Sequence, residues 1–540
     1  MYREWFKNVP VKYQHFLLLL TGSGILYSEL MINQLTNDYD GLWENSFHNA
    51  GAWEISLGRW FWQYISRARF GTSSDPYTTL ITLAIMAAGL LLLFDLWHVS
   101  GRYIIFLSGM LFLSNAAICF ELSYRYMSPT FGAAFLLSIM SVWCFKKIDR
   151  TVVSILAGSL CIAFSMGSYQ AYICCTTVAF LTALLIDLSR NTDWESIARF
   201  SARSIAGILL GGFEYIAILN IYLRKHNLEM SVYQGADSYS IANSLQCLPT
   251  SIYKAYQIFV LYFKGILFKI NRMQGKHIFA FLFILLLIRM IFVFWDIYAK
   301  SRIKAVLFVL LCFLYPPAAL SVLMIATDAV FALQMSCGPA LFLSALPCLF
   351  CQKNEKPAET DVKSDTQTED LSPRNNLRKL YKKCRKLFNL IFILFMSAVL
   401  YGSIFQVIID QNTMYEGRIA TENVADMVVD RLLQEDLISS EYRYVFVGTP
   451  CSSPLYAIDS NYEYANIYAL YGAWYSGHNG AKSWRGVIRY RKGLNLNVVS
   501  DPEYNILSSS ETIADMPQFP KTGSIMLDGD IVYIKIDSTN

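Results

Sequence analysis

The chain has 540 residues and a formal net charge of +4, with 54% hydrophobic, 15% aromatic and only 16% charged residues. Soluble domains carry about 25% charged residues, so this composition excludes an ordinary soluble protein. The modest charge, with no soluble basic domain, also argues against nucleic-acid binding.

Arg3, Lys7 and Lys12 precede the first apolar run, at 15–35. That run is too long for a secretory signal and lacks a small-residue cleavage site. It reads as an uncleaved anchor with a cytoplasmic N-terminus. Ten further runs follow at 78–97, 103–120, 130–146, 151–168, 170–187, 203–223, 277–298, 303–325, 328–350 and 387–409. A run of about 20 apolar residues crosses a hydrocarbon core about 30 Å thick. Eleven spans place Lys146, Lys147, Arg150, Arg199, Arg203, Lys300, Arg302 and Lys304 on the cytoplasmic side, as the basic bias of inner loops requires. Residues 254–270 are apolar but interrupted by Lys254, Lys264 and Lys269, so they are expected to be interfacial or re-entrant.

The first outer loop, 36–77, opens with Asn37-Asp38-Tyr39-Asp40-Gly41-Leu42-Trp43-Glu44. Such a run is good turn chemistry anywhere. Its two close acids can also take a proton from a hydroxyl or hold a divalent cation through hard oxygen ligands. Further along, Trp53, Leu57, Trp60, Phe61, Tyr64 and Ala68 recur at helical spacing. They predict one amphipathic helix lying in the membrane interface. Its polar side carries Arg59, whose guanidinium suits a phosphate.

Glu214 and Arg289 fall near the middle of their spans and are expected to pair. Glu121, Tyr124, Arg125, Tyr169 and Gln170 belong to different spans but share the outer side. Most cysteines fall in spans; Cys247 and Cys451 both lie in outer segments, where they could pair. The chain has no N-x-S/T sequon, which favours a bacterial source.

Residues 1–350 therefore read as a membrane core and 351–386 as a disordered basic cytoplasmic loop. Residues 387–409 form the last transmembrane helix, and 410–540 an extracytoplasmic α/β domain. In that domain 421–435 predict a helix with Val424, Val428 and Leu432 on one face and Met427 beside them. Tyr442 to Val447 predict a strand, and 524–536 a hairpin turning at Asp528-Gly529. The expected fold is an all-α polytopic membrane protein of about eleven transmembrane helices with a small C-terminal α/β domain.

The basic N-terminus, the single span, Asn37-Asp38-x-Asp40, Gly58-Arg59-Trp60 and Gly167-Ser168-Tyr169-Gln170-Ala171 together resemble the bacterial Gtr-type glucosyltransferases. Those enzymes modify O-antigen and other surface polysaccharides and are similar to the wider C-type (GT-C) glycosyltransferases. The resemblance implies an enzyme of the bacterial cytoplasmic membrane. It implies a polyprenyl-phosphate sugar donor, glucose favoured, and a surface polysaccharide or lipid-linked glycan as acceptor. By that analogy Asp38 or Asp40 is the general base, and Arg59 and Arg125 are candidates for the donor phosphate. Glu44, Tyr169 and Gln170 complete the candidate substrate-binding set. No cofactor is implied with certainty; a divalent cation is left open.

Three other readings compete. An envelope polysaccharide polymerase or ligase would rest on arginines in large outer loops. A lipid-linked sugar transporter or flippase would show internal repeats, and no self-similarity between halves is evident. In a structural envelope protein Asp38 and Asp40 would be replaceable.

Overall fold

The computed structural model describes residues 10–37, 40–43, 47–233, 241–265, 277–327, 329–350, 373–458, 463–472, 478–499 and 501–537. The protein is mostly helical. Among the described residues, seven helical stretches are long and apolar enough to cross a membrane: Tyr77–Leu96, Ser128–Lys147, Thr151–Ser168, Gln170–Ser189, Trp194–His226, Ile278–Tyr298 and Lys383–Gln434. An eighth arises if Arg102–Leu113 and Ala116–Ser123, bent by 54°, form one span.

The remaining expected spans are interrupted. Between Leu113 and Ala116 the Asn115 side chain accepts from Ala117 N at 3.0 Å, capping a new helix inside the span. The first run divides into Val11–Leu26 and Ser28–Ile32. There the Gln411 side chain bridges the break: its Oε1 accepts from Leu30 N and its Nε2 donates to Leu26 O, each at 3.0 Å. The run at 303–325 is helical over Arg302–Cys312 and then continues only as the short turns Tyr315–Ala319 and Ser321–Met324. Pro316 and Pro317 stand at the restart, and neither can donate a backbone N–H. In 328–350 the helix is Cys337–Phe350. Of the segment with three lysines, residues 254–263 belong to the helix Leu248–Phe263, which buries Ala255, Phe259 and Tyr262 and exposes Tyr253 and Val260; Lys269 lies outside the described residues. Lys254 donates to Thr327 O and Ala329 O, at 3.3 and 3.1 Å.

Residues 373–386, expected to be disordered, are helical. They open a single helix of 62 residues, Pro373–Gln434, which is roughly 90 Å long at the α-helical rise. The helix expected at 421–435 is its C-terminal part. Its lower half packs Phe392, Met396, Val399 and Val407 into the bundle core. Its upper half packs Val424, Val428 and Leu432 into a second core, while Met427 is exposed. One helix thus belongs to both hydrophobic cores.

The second core belongs to a small C-terminal sheet with its helices. Strands β1 (Arg443–Val447), β2 (Ile525–Asp528) and β3 (Ile531–Lys535) stand in the order β1-β3-β2. β3 is parallel to β1 and antiparallel to β2. The strand and hairpin lie where the alternation put them, with Gly529 in the turn at φ 61°. Helix His478–Lys492 covers the sheet through Trp484, which stacks on Phe446. Leu42, from the acidic loop after the first span, is a member of this second core.

The expected pair of Glu214 with Arg289 does not form, nor does the Cys247–Cys451 bond that the sequence left open. Glu214 bonds Ser159 Oγ at 3.0 Å, and Arg289 Nε donates to Phe350 O at 3.0 Å. Each side chain finds a partner on a different element, and Glu214 Oε2 is left without a hydrogen bond among the described residues. Cys247 and Cys451 are both free thiols.

Candidate functional site

The two motif segments lock onto one another. The expected single helix across residues 53–68 is instead two, Ala52–Ser56 and Trp62–Ala68, separated by a turn at Leu57–Phe61. Gly58 makes the turn with φ 82°, a conformation that suits glycine. The turn is pinned to the end of helix Thr151–Ser168: Phe61 N donates to Gly167 O at 2.7 Å. Gln170 Nε2 donates to Leu57 O at 2.6 Å and to Tyr215 Oη at 3.1 Å. Trp60 is 1% exposed and stacks on Tyr222. A side chain at Gly167 would come within 2.5 Å of the Trp60 ring. Leu57 and Trp60 of this stripe are therefore packed against the bundle, whereas Trp53, Tyr64 and Ala68 remain open to the surroundings.

The turn presents Arg59. Its guanidinium lies 4.9 Å from the ring centroid of Tyr169. Its Nε is buried and makes no hydrogen bond among the described residues. Next to Tyr169, Tyr172 Oη donates to Glu121 Oε2 at 2.5 Å, and both groups are fully buried. Glu121 Oε1 has no hydrogen-bond partner among the described residues.

The first outer loop is tied down on either side of its acids. Asn37 N donates to Ser123 O at 3.0 Å, and the Asn37 side chain accepts from Gly41 N. Asp40 begins the short helix Asp40–Trp43. Asp38 and Glu44 lie outside the described residues, as does the side chain of Asp40. Leu42 then enters the C-terminal core, against Gly486, whose Cβ would lie 3.0 Å from Leu42 O.

Arg125 lies two residues beyond Ser123 and is 3% exposed. It donates to Gln34 Oε1 at 3.0 Å. Burial lowers its pKa, Asp75 opposes this, and Arg418 lowers it further. Burial also raises the pKa of Asp75, against the hydrogen bond from Thr79 N at 3.0 Å. On the other side of the loop, burial pushes Glu54 up, but His48 at 3.1 Å and Gly51 N at 2.6 Å outweigh it and leave the pKa lowered.

Those candidate residues whose side chains are described lie along one path at one end of the bundle. It runs from Asn37 to Ser123 and Arg125, through Glu121 and Tyr172, to Tyr169 and Arg59. Gln170 differs from the rest of the set, since its amide holds the Arg59 turn in place. Among the described residues no three His, Cys, Asp or Glu side chains come together.

A cleft of about 180 Å³ opens beside the acidic loop, lined by Leu42 and Arg125 and, from beyond residue 400, by Arg418, Glu422, Tyr471 and Tyr490. Sequence reasoning missed these last four. The signal available was that Arg418 and Glu422 are four residues apart on a helix continuous with the last span, hence on one face.

The family described as glucosyl transferase GtrII matches residues 35–344, which span both interlocked motifs and the acidic loop. A protein of Salmonella phage P22, described as an uncharacterized 55.3 kDa protein in the gtrB 5' region, is 25% identical over 225 residues. That match covers 40% of this chain and 45% of the phage protein. No solved structure matches. Because the family match covers more than half of its length, the chain belongs to the GtrII glucosyl transferase family.

Proposed function

We propose that this protein is an integral membrane glycosyltransferase. It moves a sugar, glucose favoured, from a polyprenyl-phosphate donor to a surface polysaccharide on the extracytoplasmic face of the bacterial cytoplasmic membrane. The observation that carries the reading is the clamp between residues 57–61 and 167–170. It fixes Arg59, which has no ion pair among the described residues, at the end of the bundle where the acidic loop begins.

In this reading Asp38 or Asp40 takes the proton of the acceptor hydroxyl as its oxygen attacks the anomeric carbon. The bond from that carbon to the donor phosphate breaks, and the phosphate leaves with the electron pair. Arg59 and Arg125 hold its charge; a guanidinium does so through paired, charge-assisted hydrogen bonds. A fixed turn places that charge before the reaction begins, which is where electrostatic catalysis gains most. Orientation belongs to the same reading. Cysteines engineered near 45, 240 and 460 should label from outside, and those near 148, 302 and 365 should not.

The test is transfer by the purified full chain in detergent. Polyprenyl-phosphate glucose and a nucleotide-activated glucose are offered separately with a purified surface-polysaccharide acceptor. Transfer from the lipid-linked sugar alone supports the proposal; transfer from the nucleotide sugar alone overturns the donor assignment.

A further inference from the structure

The cleft beside the acidic loop has walls from two parts of the chain that are distant in sequence. Arg125 comes from the bundle, within the family match. Arg418, Glu422, Tyr471 and Tyr490 come from the long helix and the C-terminal unit, beyond it. Arg418 Nη1 donates to Asn33 O, at the end of the first span. Among the described residues it pairs with one acid, Glu422, at a loose 3.8 Å, and its Nε is buried with no hydrogen bond. Two guanidinium groups therefore line one cleft of about 180 Å³. Like charges so placed repel in a partly desolvated setting unless an anion lies between them. The volume is enough for a phosphate and part of a sugar ring, and Tyr471 and Tyr490 offer hydroxyls and ring faces to the latter.

We propose that Arg125 and Arg418 form a phosphate-binding subsite that exists only where the C-terminal unit meets the bundle. This subsite takes the phosphate of the lipid-linked donor, an identification that rests on the function proposed above. The C-terminal unit is then part of the site, holding one of its cations against the loop that carries Asp40. Leu42, buried in the core of that unit, keeps the two together. Glu422 opposes the charge of the subsite and limits how tightly an anion is held.

The test is calorimetric titration of the full chain in detergent, first with inorganic phosphate and then with polyprenyl phosphate in the micelles. Thermal unfolding is followed for every variant. Arg418→Gln should weaken phosphate binding about tenfold or more, the scale of a charge-assisted hydrogen bond. Arg418→Lys should recover part of the loss. Glu422→Gln should tighten binding severalfold, which damage to the fold cannot produce. A folded Arg418→Gln with wild-type phosphate affinity overturns the subsite. If Arg418→Gln does not fold, unchanged or weaker binding by Glu422→Gln overturns it instead. Tighter binding of phosphate by Glu422→Gln in a chain that transfers no sugar supports the subsite and removes the donor reading. Wild-type transfer by Arg418→Gln refutes its role with the donor and leaves the transferase reading standing.

Discussion

The guanidinium of Arg59 rests over the ring of Tyr169, 4.9 Å from its centroid. Such a contact is worth roughly 0.5–2 kcal/mol. Its value here is positional, because Arg59 and Tyr169 come from two short motifs more than a hundred residues apart. The backbone bond from Phe61 to Gly167 and the amide of Gln170 hold the two segments in register.

Gly58→Ala tests that register. A methyl group there would meet Tyr215 Oη at 2.3 Å and Gln170 Nε2 at 2.6 Å, at φ 82°. Strain of this kind costs on the order of 1–3 kcal/mol. We expect a lower unfolding temperature and slower sugar transfer in the same variant. Wild-type values for both would mean that the clamp does not depend on this turn.

Arg59→Lys separates charge from geometry. Lysine keeps the cation but loses the planar fork that grips a phosphate. KM for the lipid-linked donor should rise more than kcat falls. A fall in kcat at unchanged KM would contradict a role in donor binding and leave Arg59 acting only on the departing phosphate.

Much of the peripheral structure is legible in the sequence, because it follows from local periodicity. The strand at 443–447, the hairpin through Gly529 and the Val424, Val428 and Leu432 face are read from alternation and spacing. Breaks inside apolar runs are harder. Asn115 and Tyr27 interrupt helices whose composition remains apolar throughout, and the break at Tyr27 is bridged by Gln411, nearly four hundred residues away. The same distance hid the cleft. Nothing local in Leu42 says that it belongs to the core around Trp484. Gly58, at the centre of an otherwise helical stripe, was the one local sign that the stripe would bend.

Glu54 gives the outer loop a pH dependence. Its folded pKa is lowered from 4.5, since His48 and Gly51 outweigh the opposing effect of burial. A carboxylate with a depressed folded pKa stabilises the protein above its unfolded pKa, and that stability fades as pH falls through the folded value. Unfolding of the wild type should therefore become easier below about pH 4.5, the unshifted value. Glu54→Gln should be less stable at neutral pH and should lack that component of the acid loss. Parallel curves for the two proteins would show that Glu54 contributes nothing.

Glu214 and Arg289 should behave as independent sites. Each has its own partner, Ser159 for one and the Phe350 carbonyl for the other. Glu214→Gln and Arg289→Gln should destabilise additively, within about 0.5 kcal/mol. A double variant milder than the sum would reveal a coupling that these contacts do not contain.

The central claim is that the acidic loop carries the general base of a sugar transfer. The most direct measurement is the rate of transfer from polyprenyl-phosphate glucose by Asp38→Asn and Asp40→Asn, at matched membrane levels. An amide keeps the shape and turn chemistry of the loop but takes no proton at neutral pH. The account predicts that at least one variant inserts normally and loses about 10²–10⁴ in rate, the usual worth of a positioned base. Wild-type turnover by both variants would contradict it.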